Sequence, residues 1–169
     1  MGAGPAIPAA APDGNGRLDM DVIRQADAGD LAAVEGIVRE AYAVYTPRIG
    51  KVAGPVLADY AALIAAGLVR VLESDGAVVG VLVLVEEPDG MLLDNVAVAA
   101  AAQGRGFGRR LIAFAEAAAR DAGHADLRLY TNEAMTENLA LYTRLGFVET
   151  HRAEAAGYRR VYMRKPLDA

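Results

Sequence analysis

Residues 92–122 read LLDNVAVAAAAQGRGFGRRLIAFAEAAARDA, a strand, a glycine-rich turn and a long helix on which the fold hangs. Leu92, Leu93, Val96 and Val98 supply the apolar run of the strand. The turn is Gln103-Gly104-Arg105-Gly106-Phe107-Gly108, with glycine at alternate positions and Arg105 and Arg109 beside them. Leu111, Ile112, Phe114, Ala115 and Ala118 then recur at helical spacing and form one apolar stripe. Glycine allows positive φ and brings backbone close to a ligand with no Cβ in the way. The first N–H groups of a helix are unpaired and carry a partial positive charge. That combination reads as a pyrophosphate cradle; a glycine-rich connection kept for packing alone is the plainer alternative. A dinucleotide fingerprint fits poorly, because Arg109, Arg110 and Leu111 follow Gly108 and Tyr130 stands where an acid should close the next strand. A P-loop is excluded, since no Gly-Lys-Ser/Thr tripeptide exists.

The 169 residues suffice for one domain with a true core. A net charge of −5 argues against nucleic acid as a partner. No run of 18 apolar residues predicts a membrane span. The absence of cysteine excludes disulfides, zinc–thiolate sites and thiol nucleophiles. The single serine, Ser74, lies in a Ser-Asp-Gly turn, so a serine acyl-enzyme is not expected. His124 and His151 are far apart and have no cysteine partner, so no metal site is expected either.

Residues 1–19 are rich in Gly, Ala and Pro and read as a flexible leader. A short strand, Val22 to Gln25, precedes a helix capped by Asp27, with Leu31, Val34, Ile37, Val38, Ala41, Tyr42 and Tyr45 at helical spacing. A second helix is predicted from Pro55, with Leu57, Tyr60, Ala61 and Ile64 on one face. Strands Leu68 to Glu73 and Ala77 to Glu86 form a hairpin at Ser74-Asp75-Gly76, and Pro88-Asp89-Gly90 turns into the central strand. After the central helix, Leu127 to Thr131 is a strand that the crossover makes parallel to its predecessor. A helix over Thr136 to Leu145 stops at Gly146. Phe147 to Arg152 and Tyr158 to Arg164 close the chain as a hairpin around Ala156-Gly157.

The second distinctive stretch is Glu137-Asn138-Leu139-Ala140-Leu141-Tyr142-Thr143-Arg144-Leu145-Gly146-Phe147, in which Asn138 and Tyr142 lie one helical turn apart on the same face. Together with Gln103-x-x-Gly106-x-Gly108, it resembles the GNAT superfamily of acyl-CoA-dependent N-acetyltransferases. The resemblance runs from about Asp21 to Lys165 and places a single N-acetyltransferase domain over residues 20–166. It implies an α/β (α+β) fold: a mixed, mostly antiparallel sheet of six to seven strands, flanked by about four helices and splayed at the central parallel pair.

The resemblance also implies roles. The backbone of Val96, Ala97 and Val98 would pair with the pantetheine arm of acetyl-CoA, and Gln103 with Gly104, Arg105, Gly106, Phe107, Gly108 and Arg109 would hold the pyrophosphate. Tyr142 matches the tyrosine beside the departing sulfur, and Asp94 the acid that draws a proton from the amine. An amine attacks a thioester only when neutral, so a base must reach it. A phenol can donate to a leaving thiolate. Many relatives carry asparagine seven residues before the tyrosine, where this chain has Met135; Asn138 therefore either supports the helix or contacts the pantetheine. Tyr130 and Glu133 are further candidates for the base. Tyr42, Tyr45, Arg48 and Tyr60 are the expected lining of the acceptor side, with completion of the core as the plainer role of Tyr42 and Tyr45.

The activity so implied is a cytoplasmic transfer of acetyl from acetyl-CoA to a primary amine, of a small molecule in preference to a protein, by direct transfer in a ternary complex without a metal. Protein N-terminal or lysine acetylation, a non-catalytic acyl-CoA-binding module and a nucleotide-binding domain using the same turn are the alternatives. Monomer and homodimer both remain open.

Overall fold

The computed structural model describes residues 21–168; the leader read over residues 1–19 lies outside them. The elements run β1 (Val22–Gln25), α1 (Leu31–Ala43), α2 (Thr46–Ile49), α3 (Tyr60–Ala65), β2 (Val69–Ser74), β3 (Ala77–Glu87), β4 (Gly90–Val98), α4 (Phe107–Asp121), β5 (Asp126–Asn132), α5 (Thr136–Arg144), β6 (Val148–Ala155) and β7 (Tyr158–Pro166). The seven strands form one sheet in the order β1-β2-β3-β4-β5-β7-β6. All neighbours are antiparallel except β4 and β5, which the α4 crossover makes parallel.

Two apolar layers sandwich the middle of the sheet. Val34, Ile37, Val38 and Tyr42 of α1 pack on Val69, Val71, Val81 and Val83. Leu111, Ile112, Ala115 and Ala119 of α4 pack on Leu72, Leu82, Leu93, Leu127 and Leu129. Neighbouring Val81, Leu82 and Val83 are therefore all buried, because successive side chains of β3 enter opposite layers. Asp27 starts the first helical segment: its carboxylate accepts the Gly29 amide, and the Asp30 carboxylate reaches back to the Asp27 amide.

The helix predicted from Pro55 is broken in two. Gly54–Leu57 forms a 3-10 turn, Ala58 is extended, and Asp59 starts α3 afresh by accepting the Ala62 amide on its side chain. Of the predicted face, Tyr60 and Ile64 are buried, while Leu57 and Ala61 are exposed. Asp59 is the physical reason, since a short acidic side chain takes a helical amide better as a cap than within a helix. A single turn, α2, also forms in what reads as loop, with Pro47 in its first turn and Gly50 left-handed at its end.

Registration sets the site. β4 and β5 pair only at Met91–Leu127, Leu92–Arg128 and Leu93–Leu129. Beyond them β4 continues to Val98 on β3 alone, and β5 continues to Asn132 on β7 alone. From Asp94 and Tyr130 onward the two strands part, leaving a cleft in the sheet along edges that no strand pairs, where Tyr42 and Gln103 donate to the Val96 and Val98 carbonyls at 3.4 Å.

Candidate active site

One branch of the cleft meets the start of α4. Gly104 and Gly106 take φ of 81° and 82°, a conformation costing other L-residues about 1–2 kcal/mol. Gly106 occupies the cap position and no side chain caps the helix. The amides of Phe107, Gly108 and Arg109 therefore have no helical acceptor. A Cβ on Gly108 would meet only Val98 Cγ2, at 3.9 Å, so packing does not demand glycine there. The bare backbone borders a cavity of about 480 Å3 whose wall includes Val96, Ala97, Val98, Gln103, Arg109 and Arg144. Phe107 is buried, so it offers this cavity chiefly its backbone, and the Arg105 guanidinium stacks 4.7 Å from the Phe107 ring centre. Uncapped amides, two arginines and an uncrowded backbone fit the diphosphate of coenzyme A.

The other branch is a cavity of about 500 Å3 between β4, β5, the 3-10 turn and the tip of the β6–β7 hairpin. Tyr42, Val96, Asn138 and Tyr142 belong to the walls of both cavities and so mark their junction. Tyr142, brought in by α5, is buried, with its ring edge-on to Phe147 at 5.7 Å. Burial holds its phenol well above the usual tyrosine range, so it is protonated at neutral pH. Its hydroxyl makes no hydrogen bond among the described residues, unlike those of Tyr42, Tyr60 and Tyr130.

Those others are tied down. Tyr42 donates to Asn95 Oδ1 at 2.7 Å, Asn95 Nδ2 donates to the Tyr60 hydroxyl at 3.0 Å, and Tyr60 donates to the Pro55 carbonyl. This chain of bonds fastens α1, α3 and the 3-10 turn to β4 at the point where β5 leaves. Burial pushes Tyr60 up to about 12. Across the cavity the Tyr130 hydroxyl donates to Asp94 Oδ1 at 3.0 Å, and burial first, then Asp94, raises Tyr130 to about 12. Asp94 thus faces the second cavity, on the strand whose next residues border the first.

Not every predicted residue converges. Tyr45 lines the cavity at the glycine turn and not the other one. Arg48 belongs to the wall of neither; it grips both oxygens of Glu137 at 2.8 and 2.7 Å and lies 5.4 Å from the Tyr45 ring centre. Glu133 is outside both cavities and pairs with Arg159 at 3.3 Å. Asn138 sits at the junction, its amide 3.6 Å from Met135 Sδ. Asn95, Arg144, Lys51, Tyr158 and Arg160 line the cavities without having been singled out. Asn95 carried a signal, a polar residue on the inward face of an apolar strand; the others depend on how distant segments meet.

Residues 65–149 match the sequence model of the acetyltransferase (GNAT) domain, just over half of the chain. The chain belongs to the GNAT acetyltransferase family. Its enzyme class is accordingly that of an acyl-CoA-dependent N-acetyltransferase. Curated proteins give no match. Among solved structures, the ribosomal-protein-S18-alanine N-acetyltransferase of Escherichia coli superposes with a TM-score of 0.69 at 22% identity, over 89% of this chain and 96% of that one. The IAA acetyltransferase of Bacillus cereus gives 0.62 at 25% identity, over 87% and 99%. The N-acetylglutamate synthase of Neisseria gonorrhoeae, solved with coenzyme A and N-acetyl-glutamate, gives 0.68 at 20%, over 91% of this chain and 37% of that one. No helix among the described residues of this GNAT chain is long and apolar enough to cross a membrane.

Proposed function

We propose that this GNAT enzyme moves acetyl from acetyl-CoA to the primary amine of a small molecule by direct transfer in a ternary complex. The observation that carries this reading is the unpartnered Tyr142 phenol at the wall common to two cavities, one of which opens on the amide-rich start of α4. Gly104 to Arg109 would hold the diphosphate, with Gln103 beside them and Arg144 as a further cation. The edge of Val96 to Val98 that β5 leaves unpaired would bind the pantetheine as an added strand. When bound, acetyl-CoA supplies an activated acyl carbon. Asp94 takes the proton that the amine loses as its nitrogen bonds that carbon. Tyr142 gives its phenol proton to the sulfur as the carbon–sulfur bond breaks, and exchange with solvent restores both groups.

A small acceptor is favoured because the Asp94 cavity is roofed: Lys51 donates to the Gly157 carbonyl and Tyr158 to the Val52 carbonyl at 2.6 Å, joining the hairpin tip to the loop after α2. Thiol release from acetyl-CoA over a panel of amines tests the reading. Turnover that Tyr142→Phe abolishes while coenzyme A binding persists is the expected result. Tight coenzyme A binding without turnover on any amine would instead indicate a binding module.

A further inference from the structure

We infer that the acceptor is an amino acid, a small molecule carrying a carboxylate a few bonds from the amine it presents. The inference rests on the acetyl-transfer reading and adds the chemistry of the acceptor. Arg160 of β7 lies half-buried on the wall of the Asp94 cavity, its guanidinium carbon 4.1 Å from the Tyr130 ring centre. It forms no ion pair among the described residues. Its neighbours do: Arg159 pairs with Glu133, Arg164 with Asp126 and Arg152 with Glu149. A partly withdrawn guanidinium that no carboxylate of the described residues pairs with directly is open to an anion that enters the cavity. The guanidinium sits over the ring and its N–H groups make no hydrogen bond among the described residues, and a guanidinium can take a planar carboxylate with two parallel hydrogen bonds.

The same tyrosine connects the cation to the reaction. Its ring carries Arg160, and its hydroxyl donates to Asp94 at 3.0 Å. Arg160 and Asp94 thus meet opposite parts of one phenol, the ring and the hydroxyl, and both lie on the wall of one cavity, where a small zwitterion can address both. Lys51 adds a second cation at the rim, 4.0 Å from the Tyr158 ring centre and likewise without an acidic partner. Leu57, Leu93, Leu129 and Met135 provide apolar wall in between. The cavity is charge-matched to an ammonium at Asp94 and an oxyanion at Arg160. It is mismatched to a polyamine, and to a peptide N-terminus, where a neutral carbonyl replaces the carboxylate.

The test uses thiol release with acceptors in matched pairs: phenylalanine with phenethylamine, leucine with 3-methylbutylamine, and β-alanine with ethylamine. An aminoalkylphosphonate and a neutral-ended tripeptide accompany them. The carboxylate-bearing member of at least one pair should exceed its partner about 10- to 100-fold in kcat/KM. Arg160→Ala should bring that ratio close to one, mainly through KM, and Arg160→Lys should restore part of it. Equal rates within every pair, or preference for the simple amine, the tripeptide or the phosphonate, would overturn the inference. If no acceptor releases thiol, transfer itself fails and heat protection decides the carboxylate question. N-acetylamino acids that, with coenzyme A, raise the unfolding midpoint of the wild type but not of Arg160→Ala uphold the carboxylate site; equal shifts in both proteins refute it.

Discussion

Replacing Tyr142 by phenylalanine separates a reacting phenol from a merely packed one, and Tyr42→Phe supplies the contrast. The Tyr142 hydroxyl has no partner among the described residues, so its removal breaks no bond there, and the ring stays against Phe147. Stability should change by no more than about 0.5 kcal/mol. The Tyr42 hydroxyl instead donates at 2.7 Å to a buried Asn95 oxygen, and its loss leaves that acceptor unsatisfied at a cost of about 1–3 kcal/mol. For a chain of this size that is a fall in unfolding midpoint of roughly 2–12 °C. Activity should order the pair the other way. Tyr142→Phe removes a proton donor and should lower kcat by about 10²–10⁴-fold. Tyr42→Phe should keep most of its turnover wherever it remains folded. Scanning calorimetry with and without coenzyme A, beside thiol release, measures both. A Tyr142→Phe enzyme that melts as early as Tyr42→Phe, or that turns over at the wild-type rate, would refute the assignment.

Three further outcomes follow from the same geometry. Gly106→Ala forces a left-handed alanine and should cost about 1–2 kcal/mol, whereas Gly108→Ala should melt near the wild type yet bind coenzyme A more weakly by calorimetry; unaltered affinity in Gly108→Ala removes the cradle. Asp94→Asn keeps an acceptor for Tyr130 but cannot take a proton, so kcat should fall about 10²–10⁴-fold with coenzyme A affinity preserved; a mutant as fast as wild type shifts the base elsewhere. Tyr60 and Tyr130 ionise near 12 when folded against 10.0 otherwise, so the unfolded chain loses these protons first. The stability they contribute is whole below pH 10 and declines from there to about pH 12, and Tyr60→Phe should flatten that decline; a midpoint constant across the interval contradicts the burial of both phenols.

Short-range pattern made much of this molecule readable from its residues alone. An apolar run gave the central strand, and Ser74-Asp75-Gly76 gave the first hairpin, whose Asp75 has φ of 51°. The alternating glycines gave the start of α4, and helical spacing put Tyr142 on one face with Asn138, a face the fold then turns to the cavities. Each of these depends on torsions and contacts within a few residues, and such preferences travel with the sequence. The second helix misread for a related reason: proline at a helix start is a strong local signal, but the Asp59 cap four residues later was stronger.

Where the cavities open and what charge each holds were decided only by tertiary structure. β4 and β5 separate after Leu93, whereas β7, inserted between β5 and β6, stays paired with β5 from Asp126 to Asn132, an insertion that no local pattern announces. The same insertion delivers Arg160 to Tyr130, while Glu137 draws Arg48 away from the pocket it was expected to line. Charged side chains at the surface of a cleft have little preference of their own. Their positions are fixed by whichever distant opposite charge or ring the fold brings within reach.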